Sequence, residues 1–234
     1  MKSLNNWLLV LSVLSCFGCS SPVHEDDRGC AFVSDSIQYR VEFMSAGCVR
    51  ILSFPEGDTL VTKRLVVDSE KPAFKDYKWE DTGQKLLFRT RELSVVFDKA
   101  DAAFIFQETS TGKLLLKEKG DRKARNFKRS VAGGEQCLEV TQCFVPTEDE
   151  AIYGLGQYQN GIMNYRGKSV LLLQANMDIV NPFLISTNGY GVLWDNYSST
   201  KFEDTKEGYS FTSEVGDASD YYFVYGKNMD EVVA

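Results

Sequence analysis

The chain has 234 residues and a formal net charge of −7, and 43% of its residues are hydrophobic, 12% aromatic and 25% charged. This composition excludes a wholly disordered chain and provides enough apolar volume for one large or two small domains. The acidic balance also argues against a nucleic-acid partner, because binding to phosphates needs a basic surface.

Residues 1–18 are typical of an export signal. Lys2 precedes the apolar run 7–14, which is too short to span a bilayer, and small residues and two cysteines follow it. A cysteine directly after the cleavage point predicts a bacterial lipoprotein signal peptide with Cys19 as the acylated residue. Cys16 is the alternative lipid site, and an ordinary cleaved signal peptide is the alternative interpretation. We therefore expect an exported lipoprotein anchored to a membrane, in the periplasm or at the outer membrane or cell surface.

Residues 19–30 are short, polar and acidic, which predicts a flexible tether between the lipid and the fold. The single histidine, His24, lies in this tether. Neither a histidine metal cluster nor a Ser-His-Asp triad can therefore be assembled, and the sequence implies no cofactor and no metal.

The remaining cysteines give two different expectations. Cys137 and Cys143 lie in one predicted strand, where their separation of roughly 20 Å is too long for a disulfide bond. Cys30 and Cys48 can either pair with each other, which export permits, or remain as buried thiols.

Short segments of alternating apolar and polar residues follow one another along most of the chain, separated by turns rich in Asp and Gly. Strands at this spacing, without a helical period between them, predict an all-β fold with an antiparallel β-sandwich over residues 31–226. The predicted strands are Ile37–Phe43, Cys48–Phe54, Leu60–Val67, Tyr77–Glu80, Lys85–Arg89, Leu93–Phe97, Ala103–Gln107, Leu114–Glu118, Gln136–Val145, Tyr209–Thr212 and Asp220–Tyr225.

Two further segments lie outside this strand pattern. The basic segment Glu118–Glu135 is interpreted as a solvated loop in preference to an anion-binding patch, because charge runs usually mark solvated faces. Residues 227–234 are predicted to start a helix. That helix would end at an apolar, uncapped sequence, so we expect the chain to be cut short there.

The stretch Tyr153–Tyr197 is denser in glycine, aromatic and amide residues than any other part of the chain. Amides can bind sugar hydroxyls and aromatic rings can pack on a sugar's apolar face, although a β-protein with many turns has a similar composition. The polar candidates are Asn160, Asn164, Gln174, Asn176, Asp178 and Asn181, and the aromatic ones are Tyr158, Tyr165, Tyr190 and Trp194. Two partial nucleotide-binding motifs, at 154–156 and 161–169, have the wrong spacing and are not followed by a helix.

Asp178 differs from most acidic residues of the chain because it lies in a predicted loop between two apolar strands. Its carboxylate could accept hydrogen bonds from sugar hydroxyls, or it could close an Asx turn before Pro182. Asp195 and Asn196 are predicted to turn the chain after a buried strand.

Four segments resemble, in this order, the N-terminal region of glycoside hydrolase family 31, in particular its exported bacterial α-xylosidase and α-glucosidase types. They are YGLGQYQNG, MNYRGKSVLLLQANMD, PFLISTNGYGVLWDNYS and SDYYFVYGKNMDEVVA. The resemblance implies a galactose-mutarotase-like β-sandwich packed against a (β/α)₈ barrel. It also implies a retaining α-glycosidase that acts on oligosaccharides and whose two catalytic carboxylates belong to the barrel. We therefore expect this chain to be truncated before the barrel, with residues 227–234 starting the connecting helix, and to be inactive alone.

The same resemblance assigns substrate binding to Asn176 and Asp178, which match the family's Asn-x-Asp loop, while Met177 replaces a basic residue found in some relatives. The alternative is a stand-alone, lipid-anchored carbohydrate-binding module. In that hypothesis Tyr158, Tyr165 and Trp194 would form a platform on which sugars stack.

Overall fold

Antiparallel strands make up almost all of the regular structure. The structure is a computed structural model and describes residues 22–58, 73–120 and 125–234. Within these ranges the strands form two sheets, one of eight and one of ten strands, so the predicted all-β sandwich is confirmed.

The strands are, in chain order, β1 (His24–Glu25), β2 (Cys30–Ser34), β3 (Ile37–Phe43), β4 (Cys48–Pro55), β5 (Lys78–Asp81), β6 (Lys85–Arg89), β7 (Leu93–Asp98), β8 (Ala103–Glu108), β9 (Leu114–Glu118), β10 (Arg125–Ala132), β11 (Glu135–Val145), β12 (Ile152–Gln157), β13 (Ser169–Leu172), β14 (Ile179–Ser186), β15 (Tyr190–Trp194), β16 (Thr200–Thr205), β17 (Gly208–Gly216) and β18 (Ser219–Tyr225). A short helix, α1 (Met229–Val233), follows them.

The order of the strands places β12 and β13 at the margins of the two sheets. The eight-stranded sheet runs β1-β2-β3-β4-β18-β15-β14-β12, and the ten-stranded sheet runs β13-β16-β17-β11-β9-β8-β7-β6-β5 with β10 paired to β11. The chain therefore passes from one sheet to the other between β12 and β13, and back again between β13 and β14.

Aromatic side chains from both sheets fill the space between them. Phe106 on β8 stacks on Phe223 on β18 with ring centroids 4.1 Å apart. Trp194 on β15 donates a hydrogen bond of 2.9 Å from Nε1 to Ser213 Oγ on β17. This alternation of inward apolar side chains on facing sheets is the usual construction of a sandwich core.

Most predicted strands occur at or close to their predicted positions. Ile37–Phe43, Lys85–Arg89 and Leu114–Glu118 have the predicted bounds, and the others differ by a few residues at their ends. The predicted strand Leu60–Val67 lies outside the described residues.

The interpretation of Glu118–Glu135 as a loop is wrong for residues 125–132, although five of these eight residues are exposed to solvent, as expected. Residues 125–132 form β10, which pairs with β11 along its whole length. The side chain of Arg125 lies inside the sandwich, where it forms an ion pair with the buried carboxylate of Glu118 and donates to Tyr39 OH at 3.0 Å. A run of charged residues therefore contains an internal ion pair that the charge pattern alone did not indicate.

Residues 22–30, expected to belong to a flexible tether, are part of the sandwich. Glu25 accepts hydrogen bonds from Tyr77 OH at 3.0 Å and from Trp79 Nε1 at 2.9 Å. Asp26 forms an ion pair with Arg40, and this contact holds the pKa of Asp26 well below its usual range. Residues 19–21 and the proposed lipid sites Cys16 and Cys19 lie outside the described residues.

Cys30 and Cys48 are free thiols, so of the two alternatives left open for them the disulfide is wrong. Cys30 lies on β2 and Cys48 on β4, and β3 separates these two strands. Two strand spacings amount to about 10 Å, which exceeds the separation that a disulfide bond allows. Cys137 and Cys143 are also free, as expected.

The predicted C-terminal helix is present as α1. Asn228 caps it, since its side chain accepts a hydrogen bond of 2.9 Å from the Glu231 backbone N–H. Val232 is the buried residue of this helix and lies beside β15. Within the part of the chain that the structure describes, no helix has the length and apolar character needed to cross a membrane.

Candidate functional site

The loop that carries the two predicted sugar ligands is a tight turn between the sheets. Ala175 and Asp178 form an isolated antiparallel bridge, and the Asp178 backbone N–H donates to the Ala175 carbonyl oxygen at 3.3 Å. Asn176 and Met177 are the two central residues. Met177 has a positive φ of 69°, in the third turn position, where glycine or asparagine is usually preferred.

Gln174 fixes this turn from its N-terminal side. Its Nε2 donates to the backbone oxygen of Asp178 at 2.9 Å, and its Oε1 accepts from the Val180 backbone N–H at 3.2 Å. One amide side chain thus binds the backbone on both sides of Ile179 and holds the end of the turn against the start of β14.

The Gly-Leu-Gly motif explains how closely β12 approaches this loop. Gly154 pairs with Leu184, and Gly156 pairs with Val180. A step of two residues along β12 therefore corresponds to a step of four along β14, and the register is irregular at this point. A Cβ atom on Gly154 would lie 2.4 Å from the Phe183 carbonyl oxygen. Both glycines also have positive φ angles, of 96° and 116°. Only glycine fits such a backbone approach, and this is the structural role of the motif.

The side chains of Asn176 and Asp178 extend from the turn without being used to build it. Asn176 is exposed and Asp178 half-buried, and within the described residues neither side chain makes a hydrogen bond. The Asx turn considered for Asp178 would need its carboxylate to accept such a bond. The Asp178 carboxylate influences the pKa of Tyr158. Burial is the main cause that raises this pKa to about 12, and the charges of Tyr165 and Asp178 add to the rise.

Two of the other amide candidates build local turns. Asn160 Oδ1 accepts from the Ile162 N–H at 2.9 Å, and Asn164 Oδ1 accepts from the backbone of Ile152 and Arg166, both at 3.1 Å. Of the six polar residues predicted to line a pocket, the structure therefore brings Gln174, Asn176, Asp178 and Asn181 together around one loop.

The predicted stacking platform is wrong. Trp194 and Tyr190 are fully buried and Tyr165 is 3% exposed, and all three belong to the core between the sheets. Tyr158 packs against the same core and donates from its hydroxyl to the Leu155 backbone oxygen at 3.0 Å. Trp194, Tyr190 and Tyr165 hold the sandwich together and present no flat face to a sugar, so the half-buried Tyr158 cannot form a platform with them.

A cavity of about 390 Å³ lies directly beside the loop. Gln174 and Val180, which hold the end of the turn, also line this cavity, together with Asn181, Asp195 and Tyr197. Sequence reasoning placed Asp195 in an ordinary turn. Its burial at 7% exposure depends on contacts between β15 and β18 that local sequence does not reveal.

Among the described residues, no group of three or more His, Cys, Asp and Glu side chains is arranged to hold a metal ion. The site consists of amide, carboxylate and hydroxyl groups beside apolar side chains. Such groups can bind a neutral polyhydroxylated molecule by hydrogen bonds.

Comparison with known families agrees with this architecture. Residues 38–203 match the profile of the glycosyl hydrolase 31 N-terminal galactose mutarotase-like domain. The chain belongs to this family. The match includes the Asn176–Asp178 loop and the glycine pair of β12.

Two curated relatives are longer proteins than this chain. The chain is 32% identical over 213 residues to an α-xylosidase of Saccharolobus solfataricus, which covers 85% of this chain and 27% of that protein. It is 34% identical over 108 residues to an uncharacterized family 31 glucosidase of Pseudescherichia vulneris, covering 46% of this chain and 20% of the relative. This family 31 sandwich therefore spans about a quarter of the length of these relatives.

Solved structures show the same fold. An α-xylosidase from a soil metagenome, determined in complex with xylose, superposes with a TM-score of 0.72 at 22% identity, covering 91% of this chain and 33% of that one. An α-xylosidase from Xanthomonas citri superposes with a TM-score of 0.65 at 29% identity, covering 79% of this chain and 20% of that one.

Proposed function

We propose that this family 31 sandwich contributes a substrate-binding loop to a retaining α-glycosidase of the α-xylosidase or α-glucosidase type, which acts on glycan-derived oligosaccharides. The observation that carries the proposal is the Asn176–Asp178 turn. Its backbone is held by Gln174 and by the approach of β12, while both polar side chains remain available to a ligand. A preorganised turn with unused polar groups suits binding, because little ordering is needed when the ligand arrives.

The chemistry of bond cleavage is assigned to a separate catalytic barrel. Retaining glycosidases need two carboxyl groups about 5 Å apart, one as nucleophile and one as acid and base. Asp178 is a single half-buried carboxylate and does not provide such a pair. We therefore expect the sandwich by itself to bind sugar weakly and to hydrolyse none.

Exposed apolar side chains around the loop support a partner domain on this side of the sandwich. Large hydrophobic residues with exposed fractions from 47% to 77% occur on both sides of the turn; they are Met163, Leu171, Leu173, Met177, Ile179 and Tyr197. Large exposed apolar patches usually mark interaction sites, and we propose that these side chains belong to one. A barrel that covers it would bring its active site close to Asp178.

The test has two arms. Residues 20–234 are first assayed with p-nitrophenyl α-xyloside and α-glucoside, and measurable turnover would contradict the assignment of catalysis to a barrel. The kcat/KM for α-xylosyl and α-glucosyl disaccharides is then measured for a chain in which the sandwich is continued by a family 31 barrel. Asp178→Ala should lower kcat/KM by about tenfold or more, as expected for a lost charged hydrogen bond.

Asp76→Ala is the matched control for this arm, because Asp76 is exposed and lies beside β5, at the opposite margin of the ten-stranded sheet from β13. An unchanged kcat/KM for Asp178→Ala would show that the loop does not have the substrate-binding role proposed for it.

Calorimetry with malto-oligosaccharides and xyloglucan oligosaccharides also separates this proposal from a stand-alone binding module. Such a module would bind tightly without a barrel, and the aromatic platform on which that hypothesis relied is buried.

We also propose that the protein is exported and anchored through a lipid on Cys19, on the basis of the N-terminal sequence alone. Labelling cells with a palmitate analogue should label the wild-type protein, and Cys19→Ala should abolish the label. If Cys16→Ala abolishes the label and Cys19→Ala retains it, the acylated residue is Cys16.

A further inference from the structure

The short helix α1 depends on contacts with the sandwich. A helix of five residues is unstable alone in water, because its few backbone hydrogen bonds do not offset the cost of ordering the chain. In α1 the Ala234 N–H donates to the Asp230 backbone oxygen at 3.1 Å, and the Val232 N–H donates to the Asn228 backbone oxygen at 3.3 Å. Packing outside the helix must therefore hold these residues in place.

Gly191 on β15 leaves the space that Val232 fills. A Cβ atom on Gly191 would lie 2.8 Å from Val232 Cγ1 and 2.7 Å from the ring of Phe183 on β14. Val232 is 5% exposed, whereas the adjacent Val233 is 64% exposed. Since residue 191 has no side chain, Val232 packs close to the backbone of the eight-stranded sheet, and any larger residue at this position would displace the helix.

Gly226 and a reciprocal pair of hydrogen bonds fix the start of α1. A Cβ atom on Gly226 would lie 2.7 Å from the backbone nitrogen of Val232. The Glu231 N–H donates to Asn228 Oδ1 at 2.9 Å, and Glu231 Oε2 accepts from the Lys227 N–H at 2.9 Å. This pair resembles a capping box in which the second bond is made one residue earlier. The helix therefore starts in a defined direction.

Strand β14 connects this contact to the proposed sugar-binding turn. Phe183, which packs at Gly191, follows Asp178 by five residues, or roughly 17 Å along an extended strand. β14 pairs with β12 on one side and with β15, which carries Gly191, on the other. A strand that is paired on both sides bends little, so α1 and the turn keep a fixed position relative to each other.

We propose that Gly191 and Val232 are positioning residues of the glycosidase: their contact sets the direction in which the chain leaves the sandwich, and this direction holds the catalytic barrel against the Asn176–Asp178 turn. Neither residue contacts substrate, and both act through the orientation of α1. The inference rests on the proposed function, because it requires a barrel that follows α1. It adds that the sandwich contributes to catalysis by fixing where that barrel lies, as well as by binding sugar.

Hydrogen exchange in the whole chain tests the contact itself. The amides of Glu231 and Ala234 report on α1, because their hydrogen bonds close its first and last turns. Val232→Ala should accelerate their exchange by about tenfold, since it removes a buried apolar contact. Val233→Ala is the matched control, because it changes the same residue type at an exposed position of the same helix, and it should leave the rates unchanged. Gly191→Ala should accelerate exchange as Val232→Ala does, because the added methyl group displaces Val232.

Activity tests whether the contact positions the barrel. In a chain in which the sandwich is continued by a family 31 barrel, Val232→Ala and Gly191→Ala should each lower kcat/KM for α-xylosyl disaccharides by about fivefold or more. Exposed Asp76→Ala should leave it unchanged. When either variant is combined with Asp178→Ala, the total loss should be smaller than the product of the two separate losses, because both changes weaken the same contact between turn and substrate. A role in stability alone would give the full product.

The outcomes separate this inference from the proposed function. If both Val232→Ala and Gly191→Ala leave the exchange rates unchanged, the contact does not hold α1 and the inference is wrong. If they release α1 without lowering kcat/KM, or if their losses multiply fully with a loss measured for Asp178→Ala, the contact only stabilises the helix and the inference is also wrong. If Asp178→Ala has no effect but both variants release α1 and lower kcat/KM, the turn's role is overturned and the positioning role is retained. Val232→Ala keeps the test valid if Gly191→Ala fails to fold.

Discussion

A Cβ atom on Gly156 would lie 2.1 Å from the carbonyl oxygen of Ile179, the residue that directly follows Asp178. This close approach fixes the distance between β12 and the start of β14. The position of the proposed sugar-binding turn therefore depends on a glycine that lies on a different strand and has no chemical group of its own.

Gly156→Ala should destabilise the fold and displace the turn. The new methyl group would collide with the Ile179 backbone, and the φ of 116° is unfavourable for alanine. We expect a loss of about 2 kcal/mol or more in the free energy of unfolding, measured with urea. Gly161→Ala is the control, because Gly161 also has a positive φ but open space around it. It should cost only about 1 kcal/mol, and equal losses for the two variants would contradict a steric role for Gly156.

Gln174→Ala should loosen the turn without unfolding the sandwich. The substitution removes the donor to the Asp178 backbone oxygen and the acceptor for the Val180 N–H. Hydrogen exchange of the Val180 amide should accelerate about fivefold or more, which corresponds to the loss of one ordinary hydrogen bond. Gln157→Ala, at an exposed position on β12, should leave this rate unchanged. Unchanged exchange in Gln174→Ala would show that other contacts hold the turn.

The internal ion pair between Arg125 and Glu118 should be essential for stability only while Glu118 is charged. Glu118 is fully buried and also accepts from the Phe104 N–H and the Tyr221 hydroxyl, both at 2.8 Å. Arg125→Met leaves that charge uncompensated and should cost about 3 kcal/mol or more. The double variant Arg125→Met with Glu118→Gln should recover a large part of this loss in urea unfolding. A single variant within about 1 kcal/mol of the wild type would contradict the argument.

Glu150 should make the fold less stable as the pH rises. Burial raises the pKa of Glu150, against hydrogen bonds from Tyr190 OH at 2.7 Å and Thr147 Oγ1 at 3.1 Å. A carboxyl group whose pKa is raised by folding contributes stability at low pH, and this contribution is lost as the pH rises above about 4.3 towards the folded pKa. In thermal unfolding at several pH values, Glu150→Gln should therefore gain stability relative to the wild type as the pH increases. Exposed Glu148→Gln should show no such trend, and a parallel trend would exclude Glu150 as the cause.

Cys30 should react slowly with thiol reagents in the folded chain. It is fully buried, and burial raises the pKa of its thiol to about 11, so little thiolate is present near neutral pH. Modification with an aromatic disulfide reagent should be much faster after unfolding in guanidinium chloride, without added reductant. Under those conditions all of Cys30, Cys48, Cys137 and Cys143 should titrate as free thiols. Protection of Cys30 and Cys48 in the unfolded, unreduced chain would indicate a disulfide between them.

The strands were predictable because their pattern is local. In β11 alternate side chains from Leu138 to Phe144 are buried, so periodicity alone predicted this strand to within one residue. Strand β10 was missed because its charged residues suggested solvent exposure. Arg125 is buried only because Glu118, on another strand, neutralises it, and such long-range pairing leaves no mark on the local pattern.

The candidate site was partly predictable. The resemblance placed Asn176 and Asp178 in a loop, and the structure shows this loop with both side chains available. The aromatic residues were misinterpreted, because a ring that stacks on a sugar and a ring that fills a sandwich core are the same residue type. Trp194 shows the difference only through its neighbours, stacked on Phe211 and bonded to Ser213.

The six residues 173–178 connect β13, at the margin of one sheet, to β14 of the other sheet, and the length of this connection does not set the register of either sheet. Insertions or exchanges at Asn176 and Met177 would therefore leave the pairing of β13 with β16 and of β14 with β15 intact. If the turn binds sugar as proposed, glycan preference can diverge between descendants of this gene without any compensating change in the core. Selection for a new sugar and selection for a folded protein would then act on different residues.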